Sequence, residues 1–379
     1  MSTLSTSTST LSRNTHAIWA EKMESKKTGT SWKIKLLQSS FWVKLTHWEF
    51  WDFNVVYALT GILHLWQSLK SGSFFYFSAA NPGLENSGFI GETKSSIMAL
   101  LPEDKQPAWF LVSKESVEMV LQSIEKHQLT FPLIAKPNVG ERGKGVSKIN
   151  SEQELRAYHN QISVPYIVQT YVDLPLELGV FYYRFPNQPQ GVVSSVVKKG
   201  FLTLAGDGKS TLNELVEANP RASFVADYLS RKFENRWNEV LPKGEKLELE
   251  GIGNHCRGTT FLNGNGLISE RLIQVFDALS QSVPGFYFGR YDLRAASVEA
   301  LEKGDFQILE LNGAGAEPAH IYQPGFSFWE GQRVLLHHWQ VLHEISRQNH
   351  EAGVPFWTLK QARSIRKKHL ANLSAIGTV

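Results

Sequence analysis

Apolar and polar residues change their period several times along this chain, and the changes mark out its elements. Between Ser113 and His127, Val117, Val120, Leu121 and Ile124 recur at helical spacing behind Ser113 as N-cap. Ser151, followed three residues on by Glu154, opens a second helix to Gln161 with the spacing of a capping box. Further helices are predicted over Leu212–Ala218, Ala222–Glu239, Ser269–Gln281, Trp329–Ile345 and Leu359–Leu373. Strands are predicted over Phe131–Pro137, Tyr166–Val172, Leu176–Tyr183 and Val192–Lys199, the last three spaced for antiparallel pairing. Two alternating runs flank a short polar turn between Ala295 and Asp305. They predict a hairpin with Asp292, Glu310 and Asn312 on one face.

The first hundred residues read differently. Met1–Thr10 is rich in Ser and Thr and too poor in apolar residues to offset its ordering entropy. Ser31–Lys70 holds five of the eleven tryptophans, Trp32, Trp42, Trp48, Trp51 and Trp66, interleaved with Lys33, Lys35, Lys44 and Lys70. Indole beside ammonium suits a membrane interface, and it also suits an aromatic core or a dimer surface. The longest apolar run, Phe53–Trp66, is about 14 residues and carries His64, short of a bilayer span. No charged-then-apolar leader opens the chain.

Composition narrows the class. The 379 residues are 42% hydrophobic and 20% charged, enough for two or three subdomains with a substantial core. A net charge of +3 is mildly basic and suits an anionic ligand, and no nucleic-acid module accompanies it. A lone cysteine, Cys256, excludes a disulfide framework and a cysteine-rich zinc site, and fits a reducing compartment. His255 and Cys256, being adjacent, would point to opposite faces of an extended segment.

The candidate chemistry is oxygen, lysine and glycine. Asp292, Glu310 and Asn312 offer the carboxylate and amide oxygens that Mg²⁺ prefers, and Gly313-Ala314-Gly315 lets backbone approach a ligand. The strand ending at Lys136 runs into Asn138–Val146, a loop with Gly140, Gly143 and Gly145 beside Arg142 and Lys144. Such a loop can cover phosphates without being a P-loop, whose spacing is absent. Upstream, the turn-rich Ser78–Gly88 and the sequence Gly91-Glu92-Thr93-Lys94 lead into a short helix.

Taken in order, the strand lysine, glycine loop, strand-pair glutamate, Gly206-Asp207-Gly208-Lys209-Ser210-Thr211, Arg290-x-Asp292 and Glu310-x-Asn312 resemble the ATP-grasp superfamily. Within it they resemble the ligases related to cyanophycin synthetase, glutathione ligases and D-alanine–D-alanine ligase, over about Phe131 to Gln340. The resemblance implies an α+β fold of two subdomains clasping ATP. It implies nucleotide phosphates on Lys94, Lys136, Lys198 and the loop of Gly140, Gly143 and Gly145. It implies adenine at Gln169, Thr170, Tyr171 and Val172, and ribose at Glu177. Asp292, Glu310 and Asn312 would hold one or two Mg²⁺, or Mn²⁺, while Arg290 would face the developing oxyanion and Arg257 would lie near the transferred phosphate.

The expected organisation is a tail over 1–30, a Trp-rich region over 31–100, a small subdomain over 101–172, a large one with the metal site over 173–345, and a basic helix over 346–379. The implied activity is an ADP-forming carboxylate–amine ligase working through an acyl phosphate on small-molecule substrates. A phosphotransferase, or a non-catalytic nucleotide-binding protein at a membrane surface, is the alternative. The expected setting is cytoplasmic, with peripheral contact through residues 31–70 on the inner membrane face or self-association as further expectations. The usual N-terminal α/β substrate domain has no counterpart in the pattern.

Overall fold

Two antiparallel sheets carry the architecture of the computed structural model, which describes Trp48 and residues 51–141, 143–250 and 258–376. All of these lie in the unit His47–Val379. The expected tail, Trp32, Trp42, Arg142, His255, Cys256 and Arg257 lie outside the described residues.

The first sheet has the order β1 (Trp109–Val112), β4 (Tyr166–Thr170), β2 (Leu133–Pro137), β3 (Ser147–Ile149). Helices Val117–Lys126 and Glu152–Gln161 cover it, and Val120, Ile124, Leu155 and Tyr158 meet Val112, Leu133, Ala135 and Val168 in its core. The second sheet has the order β11 (Phe306–Asn312), β10 (Phe288–Ala295), β5 (Leu176–Tyr183), β6 (Val192–Gly200), β9 (Thr260–Asn263). Helix Glu270–Ser282 closes one face, packing Leu272 and Phe276 with Leu178, Val180, Val196, Tyr291 and Leu293. Opposite, helix Phe328–Glu351 packs Val341, Leu342 and Ile345 on Phe181 and Phe288. A third ladder of β7 (Leu202–Ala205) and β8 (Lys246–Glu250) has its own small core with helices Leu212–Ala218 and Ala226–Lys232. The class is α+β, as expected.

Several expected elements shift for local reasons. Ser116, not Ser113, caps the first sheet's leading helix, because Glu115 instead accepts the N–H groups of Ser113 and Lys114. The single helix expected over Ala222–Glu239 breaks into Pro220–Ser223 and Ala226–Lys232. The helix expected over Trp329–Ile345 runs on to Glu351. The polar turn between β10 and β11 contains a short helix, Val298–Glu302, capped by Ser297.

The β10–β11 register also changes. Asp292 pairs with Glu310, yet Leu293 pairs with Ile308, so Leu309 is an extra residue, a β-bulge. Phe306 and Ile308 therefore enter the core while Glu310 and Asn312 face away from it, although all four share one parity in the sequence.

The Trp-rich region is divided. Trp48 is 5% exposed, donates from Nε1 to the Phe326 carbonyl at 2.7 Å and contacts the Tyr322 ring. The expectation that its indole meets a membrane is corrected: that side chain is core. Helix Ala58–Ser71 packs along helix Phe328–Glu351, and no helix among the described residues is long and apolar enough to cross a membrane.

Candidate active site

The site lies where the end of β2 faces the outer strands of the second sheet. Asp292 is buried on β10 and receives Arg290 through Nε at 3.1 Å and Nη2 at 3.0 Å, Lys199 at 3.3 Å and Asn312 Nδ2 at 3.1 Å. Burial alone would raise its carboxyl, but Arg290 and then Lys199 hold it below the ordinary value. Gly179, opposite Asp292 on β5, makes room for this cluster. A Cβ there would lie 2.8 Å from Val197 Cγ1 and 3.0 Å from Asp292 Oδ1.

Glu310 pairs with Asp292 across the ladder and meets Lys94 Nζ at 3.3 Å. Lys94 opens helix Lys94–Met98 and also donates to the Gly140 carbonyl at 2.8 Å. Its backbone N–H donates to the Asn138 carbonyl, and that of Ser95 to Asn138 Oδ1. On the other side, Ala314 and Gly315 donate backbone N–H groups to the carbonyls of Ser87 and Gly88. The segment from Ser87 to Ser95 thus spans from the end of β11 to the glycine loop. Glu85 anchors it, accepting from the backbone and hydroxyl of Thr93 and the hydroxyl of Ser96.

Lys136 is the most exceptional cation. It is 7% exposed, and its hydrogen bond among the described residues runs across to the Leu309 carbonyl at 3.0 Å. Burial lowers its ammonium to about 8, with Glu310 opposing that shift and Lys94 adding to it. The bulge explains the partner: the extra residue Leu309 falls outside the β10–β11 pairing, and its carbonyl is taken by the lysine of the other sheet.

Glu177 is buried between Arg294, at 2.8 Å through Nη2, and Lys199 at 3.3 Å. Arg294 reaches on to the Tyr171 hydroxyl at 3.2 Å and the Val172 carbonyl at 2.8 Å, fixing the segment that joins the sheets. Lys148 stands 3.8 Å over the Tyr171 ring. Gln169, 2% exposed on β4, has an Oε1 with no hydrogen-bond partner among the described residues.

Gly143 and Gly145 take positive φ, 68° and 72°, and a Cβ on Gly145 would meet Pro137 Cγ at 2.7 Å. Helix Leu359–Ala375 closes on this loop. Ile376 touches Gly140 and Gly145, and Lys144 and Ser163 donate to the carbonyls of Leu373 and Ala375.

Lys198 is not brought to the site. It opposes Leu178, whose side chain enters the core under helix Glu270–Ser282, so its stem leaves by that face beside Gly264. Its neighbour Lys199 stands on the face of Glu177 and Asp292, a placement that follows from the β5–β6 register. Sequence reading also missed Arg294 and Glu92. The Glu92 Oε2 is buried without a hydrogen-bond partner among the described residues, and burial raises the carboxyl, with Glu310 and Glu85 nearby. Glu317 accepts Arg290 Nη1 on its carbonyl and the Tyr322 hydroxyl on its carboxylate.

Residues 93–180 match the model of the tubulin-tyrosine ligase family. No curated protein matches the chain in sequence. Among solved structures it is similar to a D-alanine–D-alanine ligase from Bacillus anthracis, at 14% identity over 69% of each chain with a TM-score of 0.40. It is similar to the VanG D-Ala:D-Ser ligase from Enterococcus faecalis, at 14% identity over 65% of this chain and 61% of that one, TM-score 0.37. A bifunctional glutathione synthetase from Pasteurella multocida aligns at 13% identity over 64% of this chain with a TM-score of 0.35, and the match spans only 35% of that longer protein. The matched family is one of ATP-grasp-like ligases, and with the motif order and the pair of antiparallel sheets it agrees with the resemblance to the ATP-grasp superfamily.

Proposed function

We propose that this chain is an ATP-dependent, ADP-forming ligase that joins a carboxylate to an amine through an acyl phosphate. One observation carries the reading. Lys136 is a buried cation with no carboxylate in contact among the described residues, set beside Lys94 and the glycine loop and facing Glu310 of β11. A protein holds so unfavourable a charge where an anion is to arrive. The orphaned Gln169 Oε1, on the strand that leads to Tyr171, offers an acceptor to an amino group such as that of adenine.

In this reading Lys136, Lys94 and the glycine loop bind the phosphates, and the Gln169–Val172 segment binds the base. Asp292, Glu310 and Asn312 fit Mg²⁺ by donor chemistry, and the ion would supply positive charge to phosphate oxygens. Arg290 stands beside Asp292, where it can stabilise charge on a phosphoryl oxygen. The substrate carboxylate attacks the γ-phosphorus and ADP leaves; an amine, after losing its proton, then attacks the acyl carbon and phosphate leaves. Glu92, whose buried Oε2 has no hydrogen-bond partner among the described residues and which lies near Lys94 and Glu310, is the carboxyl we assign to receive that proton. Lys199 and Arg294 hold Asp292 and Glu177 in place.

The test incubates the purified chain with ATP, Mg²⁺ and panels of amino acids, short peptides and amphiphilic acids, with hydroxylamine as a general amine. Hydroxamate formed in step with ADP supports the acyl phosphate. A stable phosphorylated product without hydroxamate would replace the ligase by a phosphotransferase, and nucleotide binding without turnover across the panel would leave a non-catalytic binder.

A further inference from the structure

Helix Ala58–Ser71 is built inside out. The side chains it turns inward are polar. Gln67 donates to the Trp339 carbonyl and accepts the Tyr76 hydroxyl, His64 meets the same hydroxyl, and Ser71 bonds His343. The side chains it turns outward are apolar. Ile62 is 65% exposed, Leu65 and Trp66 57% each, and Leu69 78%, with Leu59 one turn earlier. Their spacing of three and four places them along one face. Phe53 and Phe74, before and after the helix in sequence, are also more than half exposed. A contiguous apolar strip of this kind marks an interaction surface.

Charge decides what the strip meets. From Phe53 to Leu84 the sequence has no aspartate or glutamate, and its one formal charge is Lys70. Lys70 Nζ sits 5.1 Å over the exposed Trp66 ring. An apolar helical face edged by an indole and an ammonium is matched in depth to the boundary between acyl chains and headgroups. The helix has 14 residues, so it spans about 21 Å and lies along a bilayer rather than across it.

We propose that helix Ala58–Ser71 seats on an anionic lipid bilayer through Leu59, Ile62, Leu65, Trp66 and Leu69, with Lys70 at headgroup level. The membrane contact sought in the tryptophan-rich stretch thus belongs to the strip that ends in Trp66 and not to Trp48, which is core. The proposal stands apart from the proposed ligase activity.

The test is flotation of the full chain with phosphatidylcholine vesicles containing phosphatidylglycerol, compared with the double variant Ile62→Glu, Leu69→Glu. Both positions are exposed, so far-ultraviolet circular dichroism and the unfolding midpoint should stay unchanged. Wild type should float. The variant should bind about a hundredfold more weakly, from two large apolar side chains kept from lipid. A Leu69→Phe control should float like wild type, and high salt should weaken wild-type binding without abolishing it. Wild type that remains with the soluble fraction at low salt overturns the proposal. So does a wild-type dimer in light scattering that the double variant dissolves, because the strip would then be a contact between two copies.

Discussion

Replacing Lys136 by methionine should make the protein more stable and useless for binding nucleotide. Burial brings the Lys136 ammonium from 10.5 down to about 8. That difference corresponds to about 3 kcal/mol of unfavourable free energy for holding the charged form in the folded state. Methionine is close in shape and carries no charge. It also abandons the Leu309 carbonyl, a loss of about 1 kcal/mol or more. The net gain expected without nucleotide is thus about 1–2 kcal/mol, or a few degrees in the unfolding midpoint. The sign with pH is fixed. Below about 8 both folded and unfolded lysine are protonated and the full penalty applies; between about 8 and 10.5 the unfolded chain binds more protons, so wild-type stability rises with pH and the advantage of methionine shrinks. The assay is thermal unfolding at pH 7 and pH 10, with and without ATP and Mg²⁺. Saturating ATP should reverse the order at pH 7, because mass action stabilises only the wild type. A nucleotide-free variant less stable than wild type at pH 7 would refute the reasoning and make Lys136 a structural strut.

Glu310→Ala and Asn312→Ala should fold normally and lower Mg²⁺-dependent ADP formation by about 10²-fold or more, measured by coupled assay; near-normal turnover would displace the metal assignment. Asp292→Ala should in addition destabilise the fold by about 3–5 kcal/mol in denaturant titrations, since it leaves Arg290 and Lys199 buried without their shared partner. Lys199→Met should lower stability and activity together, whereas Lys198→Met should change neither appreciably; the reverse order would mean the β6 register is wrong. Glu92→Gln should slow amide formation more than acyl-phosphate formation. Because the Glu92 carboxyl is raised above 4.5, the native acid favours folding only below its unfolded value and loses that contribution as pH rises through the folded one, so glutamine should raise the unfolding midpoint at pH 7 and not at pH 4.

What could be read from the sequence was whatever depended on local period. Helix Leu212–Ala218 and the strand bounds of Leu176–Tyr183 match the expectation because helical period and alternation are local. Lys198 in place of Lys199 is an error of one residue, and one residue is the difference between two faces of a strand. No single segment determines that phase, since it is fixed by the partners Leu178 and Glu177 on another strand. The same limit applies to Trp48 and Trp66, two tryptophans from one aromatic stretch. One fills a gap beside Gly331 and the other faces outward, and composition cannot separate them because burial depends on helix Phe328–Glu351 far along the chain. Lys136 and the glycine loop were legible as chemistry, but the contact with Leu309 was not, because it joins two sheets 173 positions apart in the sequence.

The extra residue at Leu309 sets a rule for how this chain can tolerate change in length. It works as a phase shifter: before it, even-numbered residues of β11 supply the core; after it, even-numbered residues supply the chemistry. Deleting Leu309 would leave a regular ladder with Glu310 and Asn312 still facing away from the core and Leu311 still within it, and would remove the carbonyl to which Lys136 donates. Adding or removing one residue elsewhere between Phe306 and Asn312 would shift that phase, and is predicted to be far more damaging than adding residues to the short connection at Val298–Glu302, which lies before the strand and leaves the phase untouched. Length variation among proteins built on this plan should therefore collect before Phe306 and spare the seven residues that follow.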